Sequence, residues 1–151
     1  MSKISQEEQD LIQSAISILE RSFKEPGDMF TSSDHAEAFV RLHLAAEENE
    51  VFSVMFLDQQ NRLIRFDKMF QGTINGAIVY TREIVRRVIE LNAAAILLSH
   101  NHPSGNLTPS NSDLAVTKRI STAMELIDCR VLDHIIATKT GTLSFAKEGL
   151  L

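Results

Sequence analysis

Ser99-His100-Asn101-His102-Pro103-Ser104-Gly105, with Pro109-Ser110-Asn111-Ser112-Asp113 close behind, concentrates the chemistry of this chain. The apolar run 93–98 ahead of it reads as a buried strand. In an extended segment, residues two apart point to the same side. His100 and His102 therefore present two imidazoles to one point where the strand ends. Asp113, a loop away at the start of a helical pattern, can add an oxygen. Two histidines and one carboxylate, with a fourth position left for water, are the ligand set of a catalytic zinc site. Ser110 with Asp113 three residues on also reads as a helix N-cap box, with Asp in place of Glu. Ser110 can cap the helix and still face the site. A lone His-x-His would read as loop histidines bonded to backbone. The metal reading rests on His100, His102, Pro103, Ser110 and Asp113 together, in their context of strand, loop and helix start. The letters His-Asn-His do not make an HNH nuclease, whose residues are dispersed over a ββα-metal unit.

The elements that must position these residues can be read along the chain. Ser5 and Glu8 form a capping box, and Leu11, Ile12, Ala15, Ile16, Leu19 and Phe23 keep a helical period that ends at Pro26-Gly27. A second helix is predicted over 33–47, with Phe39, Val40, Leu42 and Leu44 inward. Strands are predicted over 51–57, from Leu63 onward, and briefly over 77–80 after Gly72, Asn75 and Gly76. Thr81 is expected to cap a helix over 82–91 with Ile84, Val85, Val88 and Ile89 as its apolar stripe. The buried strand over 94–99 leads into the histidine motif. A helix over 110–127 offers Leu114, Val116, Ile120, Ala123, Met124 and Ile127 for burial. Segments 130–138 and 142–146 form a hairpin around Thr140-Gly141. Helices interleaved with strands imply a layered α/β domain with a sheet of mixed direction. His35 and His43 lack ligand spacing and read as structural or exposed.

The 151 residues are 44% apolar and 23% charged, ordinary values for a globular domain that buries its own core. Cys129 is the only cysteine, so no internal disulfide forms, which suits a reducing compartment. No signal peptide pattern and no membrane-length apolar run is visible, so a cytoplasmic location is expected. The net charge of −5 argues against broad electrostatic binding to nucleic acid. Arg82, Arg86, Arg87, Lys118 and Arg119 read as the wet sides of helices rather than a basic groove.

From about Glu50 onward the chain resembles the RadC family, a bacterial branch of the JAMM (MPN+) metallopeptidases. The resemblance rests on the His-x-His, ten residues, Asp spacing with Ser110 three before the Asp, and on several further stretches. These are Val54-Met55-Phe56-Leu57-Asp58, Asn61-Arg62-Leu63-Ile64, Gly72-Thr73-Ile74-Asn75, Arg82-Glu83, Ala93-Ala94-Ala95, Asp133-His134 and Ser144-Phe145. It implies a three-layer α-β-α sandwich with a mixed central sheet of the JAMM/MPN, cytidine-deaminase-like type. An N-terminal helical segment (1–48) would pack on a metal domain (49–151). Long RadC proteins carry a helix-hairpin-helix region ahead of the metal domain. Here the front end, with Glu25-Pro26-Gly27 and Phe30-Thr31-Ser32, resembles short prophage-type RadC-like proteins instead. Strong nucleic-acid or membrane binding is therefore not expected, and the family's link to DNA repair has no matching chemistry in these residues.

The resemblance also assigns roles. His100, His102 and Asp113 match the zinc ligands. Glu50, just before the strand at 51–57, matches the general base, with Glu47, Glu48 and Asp67 as rivals. Ser110 matches the serine that donates to the oxyanion. Asn101 points away from the metal if the strand alternates, and Asp133 and His134 are either partners of the ligands or core residues. The implied reaction is zinc-dependent hydrolysis of an amide or isopeptide bond in an unknown peptide or protein. The alternative is a metal-binding interaction module in a DNA-linked or prophage assembly, without turnover. A metal-dependent nuclease ranks third, because it would want more carboxylates and a basic groove.

Overall fold

The computed structural model describes residues 4–25, 33–73 and 76–151. Its helices are α1 (Gln6–Lys24), α2 (Ser33–Leu44), α3 (Thr81–Leu91) and α4 (Asn111–Leu126). Its strands are β1 (Val51–Leu57), β2 (Leu63–Gln71), β3 (Ala95–Asn101), β4 (Arg130–Ala137) and β5 (Thr142–Ser144). They form one sheet in the order β2-β1-β3-β4-β5, antiparallel throughout except for the parallel pair β3 and β4. A parallel pair needs a crossover, and α4 supplies it.

Alternation along the central strands sends side chains to two cores. Val51, Met55 and Leu57 of β1 join Ala95 and Leu97 of β3 under α1 and α2, where Phe23, Phe39 and Leu44 are fully buried. Phe52, Val54, Phe56, Ile96 and Leu98 face the other way and pack with Ile84, Val88, Ile120 and Met124 of α3 and α4. The result is the expected three-layer α-β-α sandwich around a mixed sheet. Among the described residues no helix is long and apolar enough to cross a membrane.

Several elements differ from expectation for physical reasons. The capping box at Ser5 and Glu8 is present, but Leu11 is 71% exposed, so the buried stripe of α1 runs through Ile16 and Phe23. Helix α2 stops at Leu44, before the expected 47, because the chain must uncoil to enter β1. The segment 77–80 is not a strand. Thr73 and Gly76 form only an isolated bridge, and the Ala77 N–H is spent on the Glu50 carboxylate instead of a strand partner. Gly72 allows the tight return there, since a Cβ at this position would lie 1.8 Å from the Gly76 carbonyl oxygen. Thr81 is the first helical residue of α3 rather than its cap; Tyr80 holds the cap position with no side-chain bond. Ile89 is 64% exposed and lies outside the apolar stripe. Leu114 is more exposed than expected, at 37%. The Pro26-Gly27 stop, Phe30-Thr31-Ser32 and Asn75 lie outside the described residues.

Candidate metal centre

The topology brings the site together at one end of β3. The crossover after β3 places the N-terminus of α4 beside that end, as expected at the carboxyl edge of a parallel pair. Strand β1 runs antiparallel to β3 with Phe52 opposite His100. Carried two residues further, that register sets Glu50 across from His102, on the same face of the sheet.

Three potential ligands converge there. His100 Nε2 lies 2.9 Å from His102 Nε2 and 3.3 Å from Asp113 Oδ1, and His102 Nε2 lies 3.1 Å from Asp113 Oδ2. One donor atom from each residue falls within 4.8 Å of the other two. The loop after His102 orients that ring. Gly105 takes a positive φ of 83°, which favours glycine, and the loop turns back so that the Asn106 carbonyl accepts the His102 Nδ1–H at 2.6 Å. A carbonyl only accepts, so Nε2 of the neutral ring carries the lone pair and faces inward. Two inward imidazole nitrogens beside a carboxylate are a donor set that suits a zinc-like cation. The residues therefore fit a metal ion.

Electrostatics follow from this crowding. Burial pushes the Asp113 carboxyl upward, but hydrogen bonds from His100 and His102 outweigh it and hold the group well below the usual carboxylate range. The hydrogen bond to Asp113 raises His102 above its ordinary value, against the effect of burial. A proton and a cation thus compete for the same lone pair. Glu50 is raised, chiefly by burial, with the nearby His100 lowering it and Asp113 raising it.

Asp113 and Ser110 also form the capping box of α4. Ser110 Oγ accepts the Asp113 N–H at 3.0 Å, and Asp113 Oδ2 accepts the Ser110 N–H at 2.9 Å. Capping and site-facing roles coexist, because Ser110 accepts with its oxygen and keeps its proton. Glu50, His102, Ser110, Asp113 and Val116 line one cleft of about 300 Å³.

The rival acids are held elsewhere. Glu47 pairs with Lys68 at 2.7 Å, and Asp67 binds Arg65 at 2.6 Å and Arg87 at 2.9 Å. Glu48 is exposed and does not line the cleft. His35 is exposed. His43 packs between Phe39 and Phe66, at centroid distances of 4.6 and 4.3 Å. Arg86 and Arg87 are paired with Glu83, Glu90 and Asp67 along α3 and β2.

Asp133 and His134 part company. Asp133 accepts from Ser144 Oγ at 2.5 Å and from the Ala146 N–H at 2.9 Å, tying β5 and the turn after it to β4. It has no contact with the ligands. His134 points to the opposite face, fully buried, with Nε2 2.7 Å from His100 Nδ1 and Nδ1 2.6 Å from the Thr117 hydroxyl.

Two contributors were not identified from sequence. Asn101 does turn to the far side of β3, but it is not idle. Its Oδ1 accepts the Val51 N–H at 2.7 Å and its Nδ2 donates to the Asn49 carbonyl at 3.0 Å. One amide thus grips the peptide units on both sides of Glu50. Thr117 lies one turn after Asp113 on α4, and that i, i+4 spacing was the available signal for a shared face.

Comparisons with known proteins identify the family. A family model described as RadC-like JAB domain matches residues 30–150. The chain is 45% identical over 149 residues to the UPF0758 protein YkfG of Escherichia coli (strain K12), covering 99% of this chain and 94% of that one. A UPF0758 protein of Vibrio cholerae serotype O1 is 46% identical over 145 residues, covering 96% and 91%. The longer UPF0758 protein PBPRA0202 of Photobacterium profundum is 49% identical over 133 residues, which are 88% of this chain and 59% of that one. A family match across most of the length, a JAB-type sandwich and a His-His-Asp cluster at the crossover edge together place the chain in the RadC family.

Proposed function

We propose that this chain is a zinc-dependent hydrolase of amide or isopeptide bonds in a peptide or protein substrate. The observation that carries the reading is one cleft lined by His102 and Asp113 of the ligand cluster, the half-buried Glu50 carboxylate and the Ser110 hydroxyl, with His100 buried behind them. A zinc ion held by His100, His102 and Asp113 would supply a Lewis acid that makes water nucleophilic near neutral pH and polarises a carbonyl. Glu50 accepts the proton of the attacking water at a carboxylate oxygen. Its raised pKa makes it a better donor when it returns that proton to the leaving amine nitrogen. The Ser110 O–H donates to the developing oxyanion, a contribution of about 3 kcal/mol for a donor of this kind.

The lining supports a peptide over a nucleic acid. Among the described residues around the cleft there is no lysine or arginine, and Phe52, Val79 and Val116 alternate with serines and threonines. A reducing, cytoplasmic setting suits a lone buried cysteine. A module that only held a metal for a protein contact would have no use for a Glu50 carboxylate in the cleft, whereas Ser110 would still cap α4.

The test is Glu50→Gln, assayed against a peptide library with zinc content measured alongside. Gln keeps the shape and removes the proton acceptor, so zinc and fold are retained while turnover falls by about 10²–10⁴-fold. Wild-type turnover in Glu50→Gln would refute the mechanism. If wild-type protein cleaves nothing while zinc removal abolishes a protein contact, the interaction module replaces the hydrolase.

A further inference from the structure

A buried chain of hydrogen bonds leads away from the cluster and ends on the backbone of one of its own ligands. His100 Nδ1 meets His134 Nε2 at 2.7 Å, His134 Nδ1 meets the Thr117 hydroxyl at 2.6 Å, and that hydroxyl lies 2.7 Å from the Asp113 carbonyl oxygen. His134 is wholly buried, stacked on Phe145 at 4.6 Å and edge-on to Phe52 at 5.5 Å. Among the described residues its ring nitrogens meet His100 and Thr117, neither of which is acidic, and full burial without a charged partner favours the neutral ring.

A chain of neutral donors and acceptors can run in two directions, and they are not equivalent for a metal. In one, Thr117 gives its single proton to the Asp113 carbonyl, which can only accept. Thr117 oxygen then accepts the His134 Nδ1–H, and His134 Nε2 accepts the His100 Nδ1–H. His100 Nε2 is left as a bare lone pair aimed at His102 and Asp113. In the other, Thr117 donates to His134 Nδ1, His134 Nε2–H donates to His100 Nδ1, and the last proton sits on His100 Nε2, where it blocks coordination.

We infer that Thr117 and His134 are positioning residues that fix His100 in the tautomer able to bind a metal, with the Asp113 carbonyl anchoring the direction of the chain. The same bonds brace β3, β4 and α4 against one another, so they hold two ligands from different elements in register. A carboxylate or carbonyl usually accepts the outer N–H of a ligating histidine. Here a second histidine does so, and it can accept only because Thr117 takes its other proton.

The inference rests on the metal centre proposed above, and zinc affinity tests the two separately. Wild-type protein titrated with zinc against a chromophoric chelator tests the centre: failure to bind refutes it. The ratio of Thr117→Val to wild type tests the relay. Val keeps the shape but takes away the acceptor for His134 Nδ1–H, so the chain reverses and protonates His100 Nε2. Zinc affinity is expected to fall about 10- to 100-fold, the range typical of a lost partner to a metal ligand, and Thr117→Ser restores it. Long-range ¹H–¹⁵N spectra of the zinc-loaded wild type should show His134 protonated on Nδ1. A Thr117→Val protein that is less stable yet binds zinc within threefold of wild type would reduce Thr117 to a packing role and overturn the inference. So would a His134 Nε2–H tautomer in the zinc-loaded wild type, which settles the matter even if Thr117→Val fails to fold.

Discussion

Asn101→Leu separates the two faces of β3, and its cost can be worked from the contacts. Leu keeps the Cγ branching of Asn, though with bulkier methyls, and cannot hydrogen-bond. The substitution removes the 2.7 Å acceptor of the Val51 N–H and the 3.0 Å donor to the Asn49 carbonyl, and Asn101 is only 1% exposed. Each buried backbone group left without a partner costs about 1–3 kcal/mol. Asn49 is exposed and water can reach part of its carbonyl, so about 3 kcal/mol is the expected total. For a domain of this length that lowers Tm by about 6–12 °C. The ligands on either side of Asn101 in sequence point to the other face, so zinc affinity should stay within about threefold, below the loss typical of a disturbed ligand partner. Thermal unfolding and a zinc titration on the same sample provide the assay. A variant as stable as wild type, or one that loses zinc while keeping its Tm, would refute the account of Asn101 as a clamp on Glu50. Asn101→Asp is the sharper control. It keeps the acceptor for Val51 but turns an oxygen toward the Asn49 carbonyl, so it should recover only part of the loss.

Three further outcomes follow from the same geometry. Chelating zinc present at 100 times its Kd should remove about 2.7 kcal/mol of stability and lower Tm by about 5–10 °C, while a His100→Ala, His102→Ala double variant should hold no zinc and show no such shift. His43 is lowered to about 4 by burial and by Lys68, so the folded state resists its protonation; the unfolded chain takes up that proton from about pH 6.5 downward, and stability falls as pH drops from about 6.5 to about 4. His43→Leu should flatten that limb by about 1–2 kcal/mol after discounting for partial solvent exposure, and urea unfolding at pH 7 and pH 4.5 checks it. Duplex DNA should bind no more tightly than the non-specific range of about 10⁻⁴–10⁻⁶ M at physiological salt, and tight binding by these 151 residues would reopen the DNA-linked reading.

What could be read from sequence divides by the range of the interaction. His100 and His102 were legible because a period of two in a strand is local, and Ser110 with Asp113 because a capping box is local. The layered fold was legible because each helix and strand carries its own hydrophobic period. Misreadings fell where a long-range partner outbid the local pattern. Residues 77–80 look like a strand, yet the Ala77 N–H serves the Glu50 carboxylate, 27 positions earlier in the chain. Helix α2 has the composition to continue to 47, yet Asn101 draws the Asn49 carbonyl into an extended turn.

Glu50 shows the same division within a single residue. Its place just before β1 is a local mark, but by residue type it is one of three glutamates between α2 and β1, with Glu47 and Glu48. What distinguishes it is the β1–β3 register, with Phe52 opposite His100. A slip of one residue would turn every β1 side chain to the opposite face and carry Glu50 away from the cluster. The register is held by burial of alternating residues on both faces of β1 and by the Asn101 amide, which grips the chain on either side of Glu50. The middle residue of His-Asn-His therefore does at a distance what its neighbours do directly. Its neighbours present their nitrogens to the site, and it fixes the place from which the acid reaches them.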